Sequence, residues 1–193
     1  YILNGNSILR PIHYPPIATE PKGAERAAAH GDINLITLLM GAHGKGLQVQ
    51  NHQGQWVDAI AAPDELMINV GDMLSRHSNN KLKSTIHRVT NPPKELWGTS
   101  RYSVPFFMHP SADMPLNCLD DCVSEAYPKA YEDCTAREFL EERLKEAKRE
   151  QTKLTDEELP QLLMELGMSS FKLKDGTAVE IKKTYGASIP VDD

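Results

Sequence analysis

Short apolar segments separated by turn-forming residues occupy most of the sequence up to Pro110. The clearest are residues 33–40, 66–74 and 101–108, which are rich in leucine, β-branched or aromatic residues and have no helix-capping pattern. Glycine, proline and asparagine lie between these segments. Eight or so short strands at such close intervals predict an antiparallel β fold with a closed or sandwiched core.

A β-hairpin is predicted over residues 47–60. Its two arms alternate between apolar and polar side chains, and a polar loop that contains His52 and Gly54 joins them. We expect His52 to be exposed at the tip of this loop.

Helical spacing of apolar residues begins only near Thr135. Thr135 and Glu138 form a capping-box pattern, and the apolar residues that follow predict a helix that extends to about Lys153. From Leu154 the local signals start again, with a second capped helix over 159–166 and a hairpin over 170–182. We therefore divide the chain into residues 1–153 and a helix-plus-hairpin appendage, residues 154–193. The appendage is either an interaction module that makes a protein contact or a segment joined to the core.

Composition and charge narrow the class of protein. The chain has 193 residues, of which 40% are hydrophobic and 25% charged, as in an ordinary globular protein. A net charge of -6 gives no reason to expect nucleic acid or an anionic membrane as a partner. No apolar run approaches the ~20 residues of a membrane span. The 3 cysteines lack CxxC spacing, which favours reduced thiols and a cytoplasmic location.

Candidate metal ligands lie beside two of the predicted strands. His30 and Asp32 are two residues apart, so in an extended chain their side chains would share one face. His87 lies in another β-prone segment that can pair beside the first, and we propose it as the third ligand. Two histidines and one carboxylate leave the opposite face of an octahedral metal open, which suits non-haem Fe(II) that activates dioxygen.

Arg101 and Ser103 form a second candidate pair. They are also two residues apart in a predicted strand, so they point the same way. A planar guanidinium and a hydroxyl on one face are suited to binding a carboxylate. A surface arginine beside a serine is the plainer alternative.

Taken in order, His30-x-Asp32, His87-Arg88-Val89 and Arg101-Tyr102-Ser103 resemble the motifs of the 2-oxoglutarate and Fe(II)-dependent dioxygenases. The branch concerned contains isopenicillin N synthase and the plant flavonoid and gibberellin oxidases, and the resemblance covers roughly residues 7–143. It implies a mainly β fold, the double-stranded β-helix or jelly roll, followed here by C-terminal helices and the small appendage.

The resemblance also implies cofactors and an activity. Fe(II) would be held by the two histidines and Asp32, and Arg101 and Ser103 would hold the distal carboxylate of the cosubstrate 2-oxoglutarate. Tyr14, in a Tyr-Pro strand, would contribute to cosubstrate or substrate binding. The implied reaction uses dioxygen and couples oxidative decarboxylation of 2-oxoglutarate to hydroxylation or another oxidation of a small organic substrate.

Substrate contacts are less well defined by the sequence. Asn69 interrupts an apolar strand, so its side chain either faces a cavity or makes an internal hydrogen bond. Phe107 and Met108 are candidate walls of a substrate pocket. Three alternatives stay open: an isopenicillin N synthase-like iron oxidase that does not use 2-oxoglutarate, a catalytically silent metal-binding barrel, and an interaction module.

Overall fold

Short strands dominate the computed structural model, which describes residues 1–40, 46–62, 64–150, 170–172 and 178–180. Two single-turn 3-10 helices span Lys94–Leu96 and Asp120–Cys122. The strands and α-helices are β1 (Ile8–Leu9), β2 (Ile12–Tyr14), β3 (Ala27–His30), β4 (Ile36–Met40), β5 (Leu47–Gln50), β6 (Trp56–Asp58), β7 (Leu66–Val70), α1 (Asp72–His77), β8 (His87–Val89), β9 (Arg101–Met108), α2 (Ala136–Glu150), β10 (Ser170–Lys172) and β11 (Ala178–Glu180).

Strands β1 to β9 form two antiparallel sheets, and the chain passes back and forth between them. The first sheet has the order β1-β9-β4-β7, with β2 also paired to β9, and the second has the order β3-β8-β5-β6. Consecutive strands such as β3 and β4 therefore lie in different sheets, which is how the chain winds in a double-stranded β-helix. The predicted mainly β, jelly-roll fold is confirmed, and so is the β5–β6 hairpin.

Side chains of the first sheet alternate between a buried inner face and an outer face. On β9, Arg101 is 4% exposed and the neighbouring Tyr102 is 62% exposed. The strand register extends the inner face across the sheet, because Thr37 on β4 lies opposite Phe107 on β9 and opposite Asn69 on β7. Thr37 is buried. Polar side chains lie along this inner face, among them Thr37, Asn69 and Arg101.

The structure corrects the prediction for residues 66–83. The sequence predicted a strand through Leu74 and then a polar turn, whereas β7 ends at Val70 and residues 72–77 form the helix α1. Met73 and Ser75 are its buried residues. A helix of 6 residues is too short for the 3.6-residue repeat to show in the sequence.

The predicted capping box at the start of α2 is confirmed. The backbone N–H of Glu138 donates to Thr135 Oγ1 at 3.2 Å, and the backbone N–H of Thr135 donates to the Glu138 carboxylate at 2.7 Å. Hydrogen bonds from the backbone and hydroxyl of Thr135 lower the pKa of Glu138. Two N–H groups at the helix start are thereby satisfied.

The main apolar core lies where α1 and α2 pack against the start of β4. Its buried members are Leu35, Met73, Leu116, Ala136 and Phe139. The guanidinium carbon of Arg76 lies 5.6 Å from the centre of the Phe139 ring and 4.9 Å from that of Tyr131. The first turns of α2 are therefore part of the same core as the barrel.

Two compact units divide the chain between Lys145 and Glu146, eight residues before the boundary predicted at 154. In the second unit, β10 and β11 pair antiparallel, with Ser170 opposite Glu180, inside the segment predicted as a hairpin. The predicted helix over 159–166 lies outside the described residues. Among the residues that are described, no helix combines the length and apolar character needed to cross a membrane.

Replacing Phe139 with alanine tests whether α2 belongs to the barrel core. Phe139 is 9% exposed, so Phe139→Ala should lower the free energy of unfolding by about 3 kcal/mol, as for other buried aromatic residues. Urea denaturation followed by circular dichroism measures the change. Glu141→Ala, on the exposed side of the same helix, should change it by less than about 0.5 kcal/mol. Equal effects of the two substitutions would contradict the packing of α2.

Candidate active site

The structure brings His30, Asp32 and His87 together at one end of the barrel. His30 is the last residue of β3 and lies directly opposite His87, the first residue of β8. One potential ligand atom from each of the three side chains lies within 4.8 Å of the other two. The distance between His87 Nε2 and Asp32 Oδ1 is 3.7 Å.

Asp32 reaches this cluster from a loop, which corrects the sequence interpretation. The sequence predicted that His30 and Asp32 share a strand face, whereas β3 ends at His30 and β4 begins only at Ile36. The backbone N–H of Asp72 donates to the Asp32 carbonyl at 2.8 Å and fixes the loop. Gly31 lies between the two side chains, and a Cβ there would meet Ser84 Oγ at 3.1 Å and Asp72 Oδ1 at 3.2 Å.

Both imidazoles are oriented by backbone carbonyls. His30 Nδ1 lies 2.7 Å from the carbonyl oxygen of Ala28, and His87 Nδ1 lies 3.0 Å from that of Thr85. In the neutral ring, donation from Nδ1 places the proton there, so Nε2 is the nitrogen that each histidine can offer to a metal.

The Asp32 carboxylate is buried, with 7% of the residue exposed, and is held by two donors. Thr37 Oγ1 donates to Asp32 Oδ2 at 2.6 Å, and Asn69 Nδ2 donates to the same oxygen at 2.8 Å. Asn34 Nδ2 in turn donates to Thr37 Oγ1 at 3.1 Å. Asn69 thus makes the internal hydrogen bond that was one of its two predicted roles.

These donors fit Fe(II). Two imidazole nitrogens and one carboxylate oxygen form the ligand set of non-haem iron sites, and the cluster contains no thiolate that would favour zinc or an iron–sulfur centre. The hydrogen bonds that both Nδ1 atoms donate and that Asp32 Oδ2 accepts supply the outer contacts that such ligands require.

A buried cation lies on the inner face of β9. Arg101 and Ser103 are 4% and 7% exposed, so the strand alternation predicted for them is present. Arg101 Nε and Nη1 have no hydrogen-bond partner among the described residues. Burial lowers the pKa of Arg101, and the nearby Tyr14 partly offsets this effect. A buried guanidinium with unused donors is suited to an anionic ligand.

Tyr14 lies beside this cation. It is opposite Arg101 in the β2–β9 register, and the guanidinium carbon of Arg101 is 5.1 Å from the centre of its ring. The structure therefore places the three residues predicted to bind the cosubstrate, Tyr14, Arg101 and Ser103, on adjoining strands.

Phe107 and Met108 occupy opposite faces of β9. Phe107 is an even number of residues from Arg101 and lies opposite Thr37, so it shares the inner face. Met108 lies opposite Ile36 and points to the outer face, so both residues cannot line one pocket. The role of Phe107 as a pocket wall stays a prediction.

His109 is a residue of this region that sequence reasoning missed. It follows β9, where continued alternation from Arg101 would direct it to the inner face. Burial lowers its pKa, and the Asp32 carboxylate opposes that shift, so the imidazole is neutral at pH 7. No motif marks His109, and the alternation along β9 was the one signal that could have identified it.

Two family models match separate parts of the chain. Residues 5–110 match the 2OG-Fe(II) oxygenase superfamily, and residues 131–193 match a family described as Pam3 gp33-like protein. The first match contains the histidine–aspartate cluster, Arg101 and Ser103. The second includes α2 and the segment that the sequence predicted as an appendage.

Individual proteins give the same result for the barrel. The chain is 34% identical over 139 residues to the 2-oxoglutarate-Fe(II) type oxidoreductase hxnY of Emericella nidulans, an alignment that covers 70% of this chain and 39% of that protein. The structure of a full-length Neurospora crassa protein in complex with alpha-KG superimposes with a TM-score of 0.68 at 36% identity, covering 74% of this chain and 46% of that one.

A Caulobacter crescentus protein assigned to the 2OG-Fe(II) oxygenase family superimposes with a TM-score of 0.70 at 50% identity, covering 76% of this chain and 47% of that one. The chain thus spans less than half the length of each of these relatives. Because the oxygenase model matches more than half of the sequence and includes every residue of the candidate metal centre, the chain belongs to the 2OG-Fe(II) oxygenase superfamily.

Proposed function

We propose that this chain is the catalytic barrel of a dioxygenase that couples oxidative decarboxylation of 2-oxoglutarate to oxidation of a small organic substrate. Fe(II) is held by His30, Asp32 and His87, and 2-oxoglutarate by Arg101, Ser103 and Tyr14. The observation that carries the proposal is Arg101, whose buried donors Nε and Nη1 lack a partner among the described residues in a barrel that also holds the His–Asp–His cluster.

The unused donors of Arg101 favour a carboxylate ligand over a neutral one. A guanidinium cannot lose its proton at neutral pH, so burial without an anion leaves a charge that is poorly compensated. Tyr14 supplies only a ring face and a hydroxyl beside it. A carboxylate can accept both free N–H groups, and Ser103 on the same strand face offers a hydroxyl to the same ligand.

A dicarboxylate fits because the site has two separate positive or electrophilic regions. One end of 2-oxoglutarate would meet the metal held by the cluster, and the other end would meet Arg101. When bound, Fe(II) and 2-oxoglutarate together supply the oxidative chemistry. The protein side chains hold and orient these groups and exclude water, so no side-chain nucleophile or general acid is required.

The substrate class is a small organic molecule. Another structure of the Neurospora crassa protein contains both alpha-KG and thymine. This complex supports a pocket for a small organic molecule in a related barrel. The inner face of β9 offers an aromatic wall at Phe107, and the neutral imidazole of His109 follows it. Hydroxylation is the simplest oxidation that such a site performs.

We also propose that residues 154–193 serve a protein contact. The match of residues 131–193 to a second family supports a separate origin for this part of the chain, and none of the proposed ligands of Fe(II) or 2-oxoglutarate lies in it.

Removing one metal ligand should abolish stoichiometric iron binding. His87→Ala deletes an imidazole that lies 3.7 Å from Asp32 Oδ1, and loss of one of three protein ligands leaves too few donors to hold Fe(II). Anaerobic titration with Fe(II) measures the result. His52→Ala removes an exposed imidazole in the β5–β6 turn and should bind iron like the parent protein. Full iron binding by His87→Ala would reject the ligand set.

Replacing the buried cation should weaken cosubstrate binding selectively. Arg101→Leu removes a charge-assisted contact worth about 2–5 kcal/mol, so the affinity for 2-oxoglutarate should fall by well over tenfold while Fe(II) stays bound. Isothermal titration with 2-oxoglutarate under anaerobic conditions measures the affinity for the cosubstrate. The anaerobic titration with Fe(II) measures iron binding by the same variant. Arg137→Leu, at an exposed arginine of α2, is the matched control. Unchanged affinity of Arg101→Leu for 2-oxoglutarate would show that Arg101 does not bind the cosubstrate.

Succinate production tests the reaction itself. The chain supplied with Fe(II), 2-oxoglutarate, oxygen and a panel of small organic compounds should form succinate and an oxygenated product, both measured by mass spectrometry. Omission of Fe(II) and the His87→Ala variant should each stop succinate formation. Oxidation of a compound without any need for 2-oxoglutarate would instead favour the isopenicillin N synthase-like alternative.

A further inference from the structure

One oxygen of the Asp32 carboxylate receives both of its hydrogen bonds. Thr37 Oγ1 and Asn69 Nδ2 both donate to Oδ2, at 2.6 and 2.8 Å. Among the described residues no donor reaches Oδ1, which is the oxygen that lies 3.7 Å from His87 Nε2. The two oxygens of one buried carboxylate therefore have different surroundings.

The two donors form a single structural unit. Thr37 and Asn69 lie directly opposite each other in the β4–β7 ladder, and Thr37 is 3% exposed. Their side chains converge on Oδ2 from neighbouring strands of the same sheet. A change in the loop that carries Asp32 would have to break both hydrogen bonds.

The direction of the Thr37 hydroxyl is also determined. Asn34 Nδ2 donates to Thr37 Oγ1 at 3.1 Å and to the Ile36 carbonyl at 2.9 Å, so the hydroxyl oxygen already accepts one hydrogen bond. The hydroxyl proton is left for Asp32 Oδ2 at 2.6 Å, which is closer than Asn34 Oδ1 at 3.4 Å. A short contact of this kind to a charged acceptor is a strong hydrogen bond.

We propose that Thr37 and Asn69 are positioning residues that restrict Asp32 to binding the metal through one oxygen, Oδ1, and thereby keep a coordination position open. The inference rests on the proposed function. A carboxylate can bind a metal through one oxygen or through both. With Oδ2 engaged by two donors of the protein, only Oδ1 is available to the metal.

The open position matters because of the number of ligands. Two imidazoles and one oxygen would occupy three of the six positions of an octahedral ion, and a chelating 2-oxoglutarate would occupy two more. Binding through both oxygens of Asp32 would take the last position. Thr37 and Asn69 would therefore control whether a further ligand can reach the metal. If their role were purely structural, replacing them would change only the stability of the fold.

Nitric oxide, which binds to an open position of Fe(II), provides the test. The unmutated chain, Thr37→Val and Asn69→Leu are each loaded anaerobically with Fe(II) and 2-oxoglutarate and titrated with nitric oxide, and the bound form is counted by electron paramagnetic resonance. Thr37→Ser retains the hydroxyl and is the conservative variant. Thr90→Val makes the same change at a half-buried threonine whose hydroxyl contacts the Gly46 carbonyl, away from Asp32.

We expect Thr37→Val and Asn69→Leu to retain Fe(II) and 2-oxoglutarate and to bind nitric oxide at least about tenfold more weakly, the lower end of the effect of outer contacts on metal sites. Thr37→Ser and Thr90→Val should behave like the unmutated chain. Thermal melting checks that each variant is folded. If Thr37→Val does not fold, nitric oxide binding by Asn69→Leu and Asn69→Ser decides the test.

Two results would overturn the inference while leaving the proposed function intact. One is nitric oxide binding by both variants at the affinity of the unmutated chain. The other is loss of Fe(II) itself from the variants, which would mean that the pair supports metal binding and does not control the open position. Failure of the unmutated chain to bind Fe(II) or 2-oxoglutarate would instead reject the proposed function, and the inference with it.

Discussion

The crossing of the chain from β3 to β4 is the constraint on which the site depends, because it carries Asp32 from one sheet to the other. The β7–α1 junction holds this crossing: Gly71 N–H donates to the Leu35 carbonyl at 2.8 Å, and Asp72 N–H to the Asp32 carbonyl at 2.8 Å. A Cβ at Gly71 would lie 2.1 Å from the Asn34 carbonyl oxygen. Only glycine allows the two backbones to approach so closely, so the position of the carboxylate is set by a residue with no side chain.

The sequence predicted which residues come together more reliably than it predicted the backbone geometry that joins them. His30 and His87 were expected on neighbouring strands and are a cross-strand pair. Asp32 was expected on the same strand face as His30, but it reaches the cluster from a loop held by α1, a helix too short to be recognised from its sequence pattern. Strand alternation, which depends only on backbone geometry, correctly placed Arg101 and Ser103 together.

Contacts between distant segments could not be predicted from local patterns. The partner of Asn69 is 37 positions away in the sequence, and nothing near Asn69 distinguishes a cavity from a carboxylate. His109 and Thr37 belong to no motif. The position of Thr37 follows only once the β4–β7 and β4–β9 registers are known, and alternation along β9 is the one signal for His109. No local pattern assigns the first turns of α2 to the barrel core, although Phe139 packs there. The second family match begins before this helix, so the limits of the family matches and of the compact units do not coincide.

The two parts of the site differ in how far the protein itself satisfies them. Asp32 Oδ2 and both Nδ1 atoms have partners within the protein, so the cluster can fold into place before metal arrives, unlike small zinc domains that fold only around the ion. Arg101 is different, because its guanidinium is buried and two of its nitrogens find no acceptor in the described part of the chain. A ligand that supplies those acceptors binds only the folded chain and so raises its resistance to unfolding. A chain that buries such a cation would then resist unfolding more strongly where that anion is abundant.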